Sequence, residues 1–334
     1  MASFEETGPR RPVIESIRVD RISPGARTWR TIRALLSLAL ALIILIPIFV
    51  MLITAFKSRV DITTPPPKLI FTPTLEGFVF LLTDRAIVTA GRLAEFQERA
   101  AAGEMNLFER IAFEGGLEIT GPSDYVFRLR NSLIIAGTST IASVVLGLLS
   151  AYAFSRFNVP GKGDLLFFIL STRMLPAVVV TIPIFLMYRQ LRLHDTHIGM
   201  IFLYTVFNLS FSVWLLKGFI DEIPREYEEA ALVDGYTRLQ AFFKIVLPQA
   251  VTGIAATTVF CLIFAWNEYA FALMLTSQRA RTAPPSIATM LGSGGLEWSA
   301  IAAGSLGFLI PVVIITFALR KYLLRGVTFG AIRQ

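Results

Sequence analysis

The chain has 334 residues, of which 54% are hydrophobic and 16% charged; soluble domains carry about 25% charged residues, so this balance and a mean hydropathy of +0.63 point to a membrane protein. The net charge of +7 does not mark a nucleic-acid binder, because the Arg and Lys residues flank apolar runs and form no separate basic domain. The single cysteine, Cys261, lies in an apolar run, which excludes an intrachain disulfide, a CxxC pair and a Cys-based zinc site.

Residues 1–32 read as a polar cytoplasmic tail, and the apolar stretch behind them is too long for the core of a secretory signal, so it reads as a first membrane span. A spanning helix needs roughly twenty mostly apolar residues. Six runs qualify: 33–56, 132–154, 165–188, 198–220, 251–275 and 300–319. The third is interrupted by Arg173, Pro176 and Pro183. Together, 33–334 reads as one transmembrane domain with two insertions, 57–130 and 221–250.

The first insertion opens on Pro65-Pro66-Pro67, a stiff non-helical start. Residues 86–102 are rich in Ala and Glu, with Leu93, Phe96 and Ala100 at helical spacing, and Gly103 is placed to stop that helix. Asn106 and Glu109 have the form of an N-cap and its partner and predict a second amphipathic helix. The pair is expected either to form a lid over the spans or to dock a soluble partner. No internal repeat is evident.

Orientation follows from basic residues in short loops. Arg18, Arg21, Arg27, Arg30 and Arg33 lie at the first span, and Arg156 and Lys162 between the second and third. Lys217, Arg225, Arg238 and Lys244 surround the fourth-to-fifth connection, and Arg320, Lys321, Arg325 and Arg333 close the chain. The opposite short loops offer Arg189 with Arg192 and Arg279 with Arg281. This bias predicts both termini and 221–250 in the cytoplasm, and 57–130 outside.

No reaction signature is present. Gly161-Lys162 lacks the upstream glycine and following hydroxyl of a phosphate-binding loop, and there is neither a G-x-S-x-G elbow nor an H-E-x-x-H pair. The chain is therefore expected to hold no ATP site, catalytic residue or cofactor of its own. His194 and His197 flank Asp195 in a short outer loop, and no metal site is expected there. Within the spans the conspicuous ionisable groups are Arg173 and Glu268. Arg173 lies about 12 Å into the third span at helical rise, so it faces the bundle interior or water. It reads either as a structural ion-pair partner of Glu268 or as a residue lining a solute pathway.

The 221–250 segment reads as two short helices with a corner. Pro224 suits a first turn, and Glu226, Glu228 and Glu229 favour the N-terminal dipole. Ala230 and Ala231 allow another surface to come close. Gly235 is placed to end the helix in a left-handed conformation, and Thr237 with Gln240 has capping-box form for a second helix. Phe242, Phe243, Ile245, Val246 and Leu247 make that helix sticky, and Pro248 ends or redirects it. Such apolar surface either packs under its own bundle or docks another protein.

The spacing Glu229-Ala230-Ala231, three residues, Gly235, nine residues, Ile245-Val246-Leu247-Pro248, with Asp234 before the glycine, resembles the "EAA" motif of type I ABC importer permeases. The likeness extends over most of the chain: Asn131-Ser132-Leu133, Met174-Leu175-Pro176, Ile182-Pro183, Ala265-Trp266-Asn267-Glu268 and Arg325-Gly326 with Gly330-Ala331 are similar to the MalG-like branch of carbohydrate permeases. It departs in the extended 57–130 segment and in the tail, which lacks the usual terminal Lys-Gly. The resemblance implies an all-α integral membrane fold of six transmembrane helices in the bacterial inner membrane. It also implies a second homologous permease, two ATP-binding subunits that hold ATP and Mg, and an extracytoplasmic solute-binding protein. Glu229, Ala230, Ala231, Asp234, Gly235, Ile245, Leu247 and Pro248 would then couple to the ATPase. Arg173, Asn267 and Glu268 are candidates for the pathway of a sugar-like substrate, and 325–334 would insert between ATPase subunits. Other solutes, such as an amino acid, phosphate or polyamine, remain the alternative, and a membrane enzyme or channel a further one.

Overall fold

The computed structural model describes residues 24–66, 68, 70–292 and 295–328, with the side chains of 24–28, 291–292 and 321–328 outside the description. The expected N-terminal tail, Pro67, and the 325–334 insertion lie wholly or partly outside the described residues.

Helix α1 (Pro24–Ala55) opens the chain. From 29 to 50 its side chains are exposed, Leu and Ile included. That surface is unfavourable in water and favourable against lipid tails. The 57–130 insertion follows as α2 (Arg59–Thr63), α3 (Glu76–Leu82), β1 (Thr83–Ile87), α4 (Ala90–Ala101), α5 (Leu107–Glu114) and β2 (Leu117–Pro122). The two expected amphipathic helices are present. Gly103 stops the first at φ 72°, and Asn106 and Glu109 form a complete capping box on the second. The first starts later than 86, because residues 83–87 pair antiparallel with 117–122 instead. Gly77 in α3 is obligatory by space: an added Cβ would stand 2.6 Å from Ala55 O and 2.7 Å from Ser299 O.

The spans then run through α6 (Tyr125–Arg156), α7 (Lys162–Ser171), a 3₁₀ turn at Thr172–Met174, α8 (Ala177–Gln190) and α9 (His197–Asp221). Next come α10 (Glu226–Val233), α11 (Arg238–Ala241), a π turn at Phe242–Val246, α12 (Leu247–Gln249) and α13 (Val251–Trp266). The chain closes with α14 (Ala270–Leu275), α15 (Ala283–Ala288), a small ribbon of β3 (Leu291–Gly292) and β4 (Gly295–Leu296), and α16 (Trp298–Thr328). Among the described residues four helices are long and apolar enough to cross a membrane unbroken, and up to six spans result if each of two bent pairs counts as one.

The bent pairs correct the expected third and fifth spans. Lys162–Met174 and Ala177–Gln190 meet at 93°. Leu175 and Pro176 are both extended there, as the residue before a proline is pushed out of the helical region. The expected 251–275 span ends at Trp266, with Asn267 as its C-cap and α14 separate, and α11–α12 joins α13 at 73°.

The centre of the bundle is held by small residues. α6 buries Ser132, Ala136, Ser139, Ser143, Gly147, Ala151 and Ser155, a stripe that lets a neighbouring backbone approach closely. α9 occupies it: a Cβ on Gly147 would collide with Ser212, and Ser143 Oγ donates to Thr205 O at 3.3 Å. α13 closes on α9 through Asn208 Nδ2 to Cys261 O at 3.1 Å and Ser212 Oγ beside Cys261 Sγ at 3.1 Å. Trp266 stacks on Phe308 of α16, centroids 4.7 Å apart, and donates Nε1–H to its carbonyl.

The loop carrying both histidines is a clasp. Asp195, at φ 55°, accepts backbone N–H groups from Ser277, Gln278, Arg279 and Ala280 and the Ser277 hydroxyl. His197 Nε2 meets Asn131 Oδ1 at 2.8 Å, and Asn131 Nδ2 donates to Arg279 O and Arg281 O. Partial burial works against ionisation of Asp195, yet the four backbone donors outweigh it and hold the carboxyl well below the usual carboxylate range. A depressed folded pKa means the clasp contributes stability above the unfolded value, near pH 4, and loses it as pH falls further. Asp195→Asn is expected to cost about 2 kcal/mol, the worth of a charge-assisted set weakened by one acceptor charge. In thermal melting of the purified protein, the gap between wild type and variant should be full at pH 7 and shrink below about pH 4.

Candidate functional site

The 221–250 segment builds its surface from local signals. Pro224 lies just ahead of the N-cap Arg225, and Glu226, Glu228 and Glu229 fill the first turn of α10. At the other end Gly235 takes φ 89°. Gly235 N–H donates to Leu232 O at 3.1 Å and Tyr236 N–H to Ala231 O at 3.0 Å, the paired bonds of a Schellman stop. Nothing stands within 4 Å of a Cβ added at Gly235, so the backbone angle alone demands glycine. Thr237 and Gln240 form the complete capping box of α11. Pro248 meets the second of its two expectations, redirection, since the helix turns by 73° into α13 just beyond it. It lies within α12, directly after the π turn, whose wider winding accommodates the missing N–H and the ring.

The alternatives of self-packing and docking divide by face. Phe242 and Val246 are buried in one cluster with Val144, Leu148, Leu216 and Ile220 of α6 and α9, and Ala241 is buried as well. Tyr227, Val233, Leu239 and Phe243 are exposed, Val233 at 87%. Glu229, Ala230, Asp234, Gly235 and Pro248 also face outward, and Ile245 and Leu247 are half-buried. Ala231 is only 4% exposed, yet it lines the same open face as Ala230. An open hollow of about 540 Å³ is walled by Tyr227, Ala230, Asp234, Tyr236 and Ile245. Tyr227 and Val233, missed in the sequence, share the three-residue spacing with Ala230 that could have found them.

A second site lies at the bend between α7 and α8. Arg173 Nη1 donates to Phe207 O at 3.2 Å, and its guanidinium carbon sits 4.2 Å from the Phe264 ring centre and 5.3 Å from that of Phe211. Glu268 accepts the Tyr204 hydroxyl at 2.7 Å and the N–H groups of Phe271 and Ala272 at 2.8 and 3.0 Å. The expected Arg173–Glu268 ion pair is not formed among the described residues, since each charge has partners of its own. Both nonetheless line one cavity of about 290 Å³, with Tyr204, Asn208, Phe264 and Phe271. Asn267 does not line it: it is exposed and donates to Ile263 O at 2.8 Å, ending α13. The cavity thus presents a guanidinium, a carboxylate, an amide and aromatic rings, the groups that bind polar, hydroxyl-bearing molecules.

Comparison with known proteins gives the family. The family described as "Binding-protein-dependent transport system inner membrane component" matches residues 143–329. An inner membrane ABC transporter permease protein, YcjP of Escherichia coli, is 30% identical over 315 residues, covering 93% of this chain and all of the relative. A probable ABC transporter permease protein of Sinorhizobium fredii is 30% identical over 313 residues, covering 92% of this chain and 99% of the relative. The trehalose transport system permease protein SugB of Mycobacterium tuberculosis is 37% identical over 208 residues, 61% of this chain and 76% of SugB. Among solved structures, a chain of a bacterial ABC transporter that imports the acidic polysaccharide alginate shares the fold, with a TM-score of 0.63 at 21% identity over 90% of this chain and 98% of that one. The chain belongs to the inner-membrane components of binding-protein-dependent transport systems and is a multi-pass permease subunit of an ABC transporter.

Proposed function

We propose that this chain is one of two homologous permeases of an ATP-driven importer for a carbohydrate or a related polyol or glycoside. Two ATP-binding subunits, which carry ATP and Mg, bind the 221–250 segment on the cytoplasmic side. A solute-binding protein delivers substrate on the opposite face, where 57–130 lies. The observation that carries the reading is the outward apolar face of α10 and α11, Tyr227, Val233, Leu239 and Phe243, on a loop whose basic residues favour the cytoplasm. An apolar face next to water marks a protein partner. The carbohydrate class is supported by the names of relatives that transport trehalose, trehalose and maltose, or diacetylchitobiose, and by the hydroxyl-matching groups of the Arg173 cavity. Six spans enclose only part of a polar route, which is why a second permease completes it.

The test is co-expression of the chain with the products of its neighbouring genes, followed by titration of the co-purified solute-binding protein with a panel of sugars, polyols, amino acids, phosphate and polyamines. The expected result is a complex with an ATPase and a second permease, and saturable binding of a sugar or polyol. Binding of an amino acid, phosphate or polyamine alone would overturn the solute class, and a chain that purifies without an ATPase would overturn the importer.

A further inference from the structure

The outward face of α10 is useful only if movement there reaches the spans, and the connection that carries it is built from charges that the docking surface does not use. At the C-terminal end of α6, Arg156 and Glu228 of α10 form an ion pair with side chains only 6% and 9% exposed, Arg156 Nε donating to Glu228 Oε1. Tyr152 donates its hydroxyl to the other carboxylate oxygen at 2.9 Å. The remaining guanidinium donors reach Ile223 O and Ser155 Oγ, both at 2.9 Å. Ser155 in turn donates to Asp221 Oδ1 at the end of α9, at 2.6 Å, and its carbonyl accepts from Arg225 Nη2, also at 2.6 Å. One turn of α6 therefore grips the end of α9, the link 222–225 and the first turn of α10 at once.

The other way out of α10 is built differently. It passes the left-handed Gly235, the π turn 242–246 and the 73° bend before α13. Each is a departure from regular helix at which direction can change, and none is crossed by a buried ion pair among the described residues.

We propose that Arg156 and Glu228 are positioning residues of the transport cycle: they lock α10 to the inner ends of α6 and α9, so that displacement of α10 by the ATP-binding subunit moves those two spans. This rests on α10 being the docking helix. The α6–α9 contact is close enough to pass the motion on: a Cβ added at Gly147 would collide with Ser212 Cβ, and helices packed this tightly transmit displacement. The pair is buried and is separate from the exposed apolar face. Its loss weakens transmission and leaves the outward apolar face intact.

The experiment uses the full complex of both permeases, ATPase and solute-binding protein in proteoliposomes, with Glu228→Gln and the milder Tyr152→Phe. Three quantities are read: ATPase capture, ATP hydrolysis stimulated by the loaded binding protein, and solute taken up per ATP hydrolysed. Glu228→Gln should capture ATPase and hydrolyse ATP, while uptake per ATP falls about tenfold, within the range by which residues along a coupling route alter it. Tyr152→Phe, which removes one of the two donors to Glu228, should lower the ratio by a smaller factor, and it decides the matter if Glu228→Gln fails to assemble. An unchanged ratio in the assembled Glu228→Gln complex, or in Tyr152→Phe where that alone assembles, overturns the latch. Ala230→Trp is carried in parallel: if it still captures the ATPase, the docking assignment of α10 fails, whatever the ratio does in the other two.

Discussion

Ala230→Trp should abolish capture of the ATP-binding subunit and leave the permease folded. Ala230 faces outward on α10 and lines the open hollow beneath Tyr227 and Asp234, so the indole has room in the isolated chain and none against a closely fitted partner. Misfit at the centre of an interface commonly costs more than about 2 kcal/mol, which is at least a tenfold loss of capture. Ala231→Trp is the wrong test, although the sequence offers the two alanines as equivalent. Ala231 is 4% exposed, and an added indole would overpack its own chain at about 1–3 kcal/mol. Gly235→Val strains the corner by roughly 1–2 kcal/mol through its backbone angle alone, while Gly235→Asn, which tolerates that angle, should dock nearly as wild type. Co-purification and thermal melting separate these outcomes. An Ala230→Trp permease that melts normally, retains the ATPase and transports at the wild-type rate removes the docking role of this face.

What the sequence discloses of this molecule is what local chemistry decides. The apolar runs announce the spans because only a membrane tolerates so much exposed Leu and Ile. The caps at Asn106 and Thr237 and the stop at Gly235 are legible because each depends on neighbours within a few residues. The 93° bend at Leu175-Pro176 was hidden, since a hydropathy window averages over both arms and prolines are tolerated within spans. The β1–β2 ribbon was hidden because residues 83–87 find their partners some thirty residues away, a distance at which short strand propensity says little. The same reason accounts for Arg173 and Glu268. Two opposite charges in the expected third and fifth spans suggest a pair, but Phe207, Phe211 and Phe264 satisfy one, and Tyr204 with the start of α14 satisfies the other. Which face of α10 is covered depends on how α11 and the π turn fold back onto it, and no residue spacing reports that.

That separation of the two charges turns Arg173 into the second strong expectation. A guanidinium has five donors, and Arg173 commits one to a backbone carbonyl and rests its plane near Phe264. The guanidinium and the Glu268 carboxylate, which is already ordered by three donors, line the same cavity. A hydroxyl-rich solute can accept from the first and donate to the second, with the rings of Phe264 and Phe271 against its apolar face. Under the proposed import function, Arg173→Gln should assemble normally and lose about 2 kcal/mol of interaction with the solute in transit, or roughly thirtyfold in uptake. Arg173→Lys should fall between, keeping the charge and losing the planar fork. If the solute is acidic, the loss should grow for it relative to a neutral analogue, because a charge is removed as well as a donor. Glu268→Gln should not relieve the Arg173→Gln defect. With no ion pair to break, removing the second charge rescues nothing and instead weakens the cap on α14, so the two losses accumulate. Relief in the double variant would restore the ion-pair reading, and normal uptake by an assembled Arg173→Gln complex would take Arg173 out of the pathway altogether.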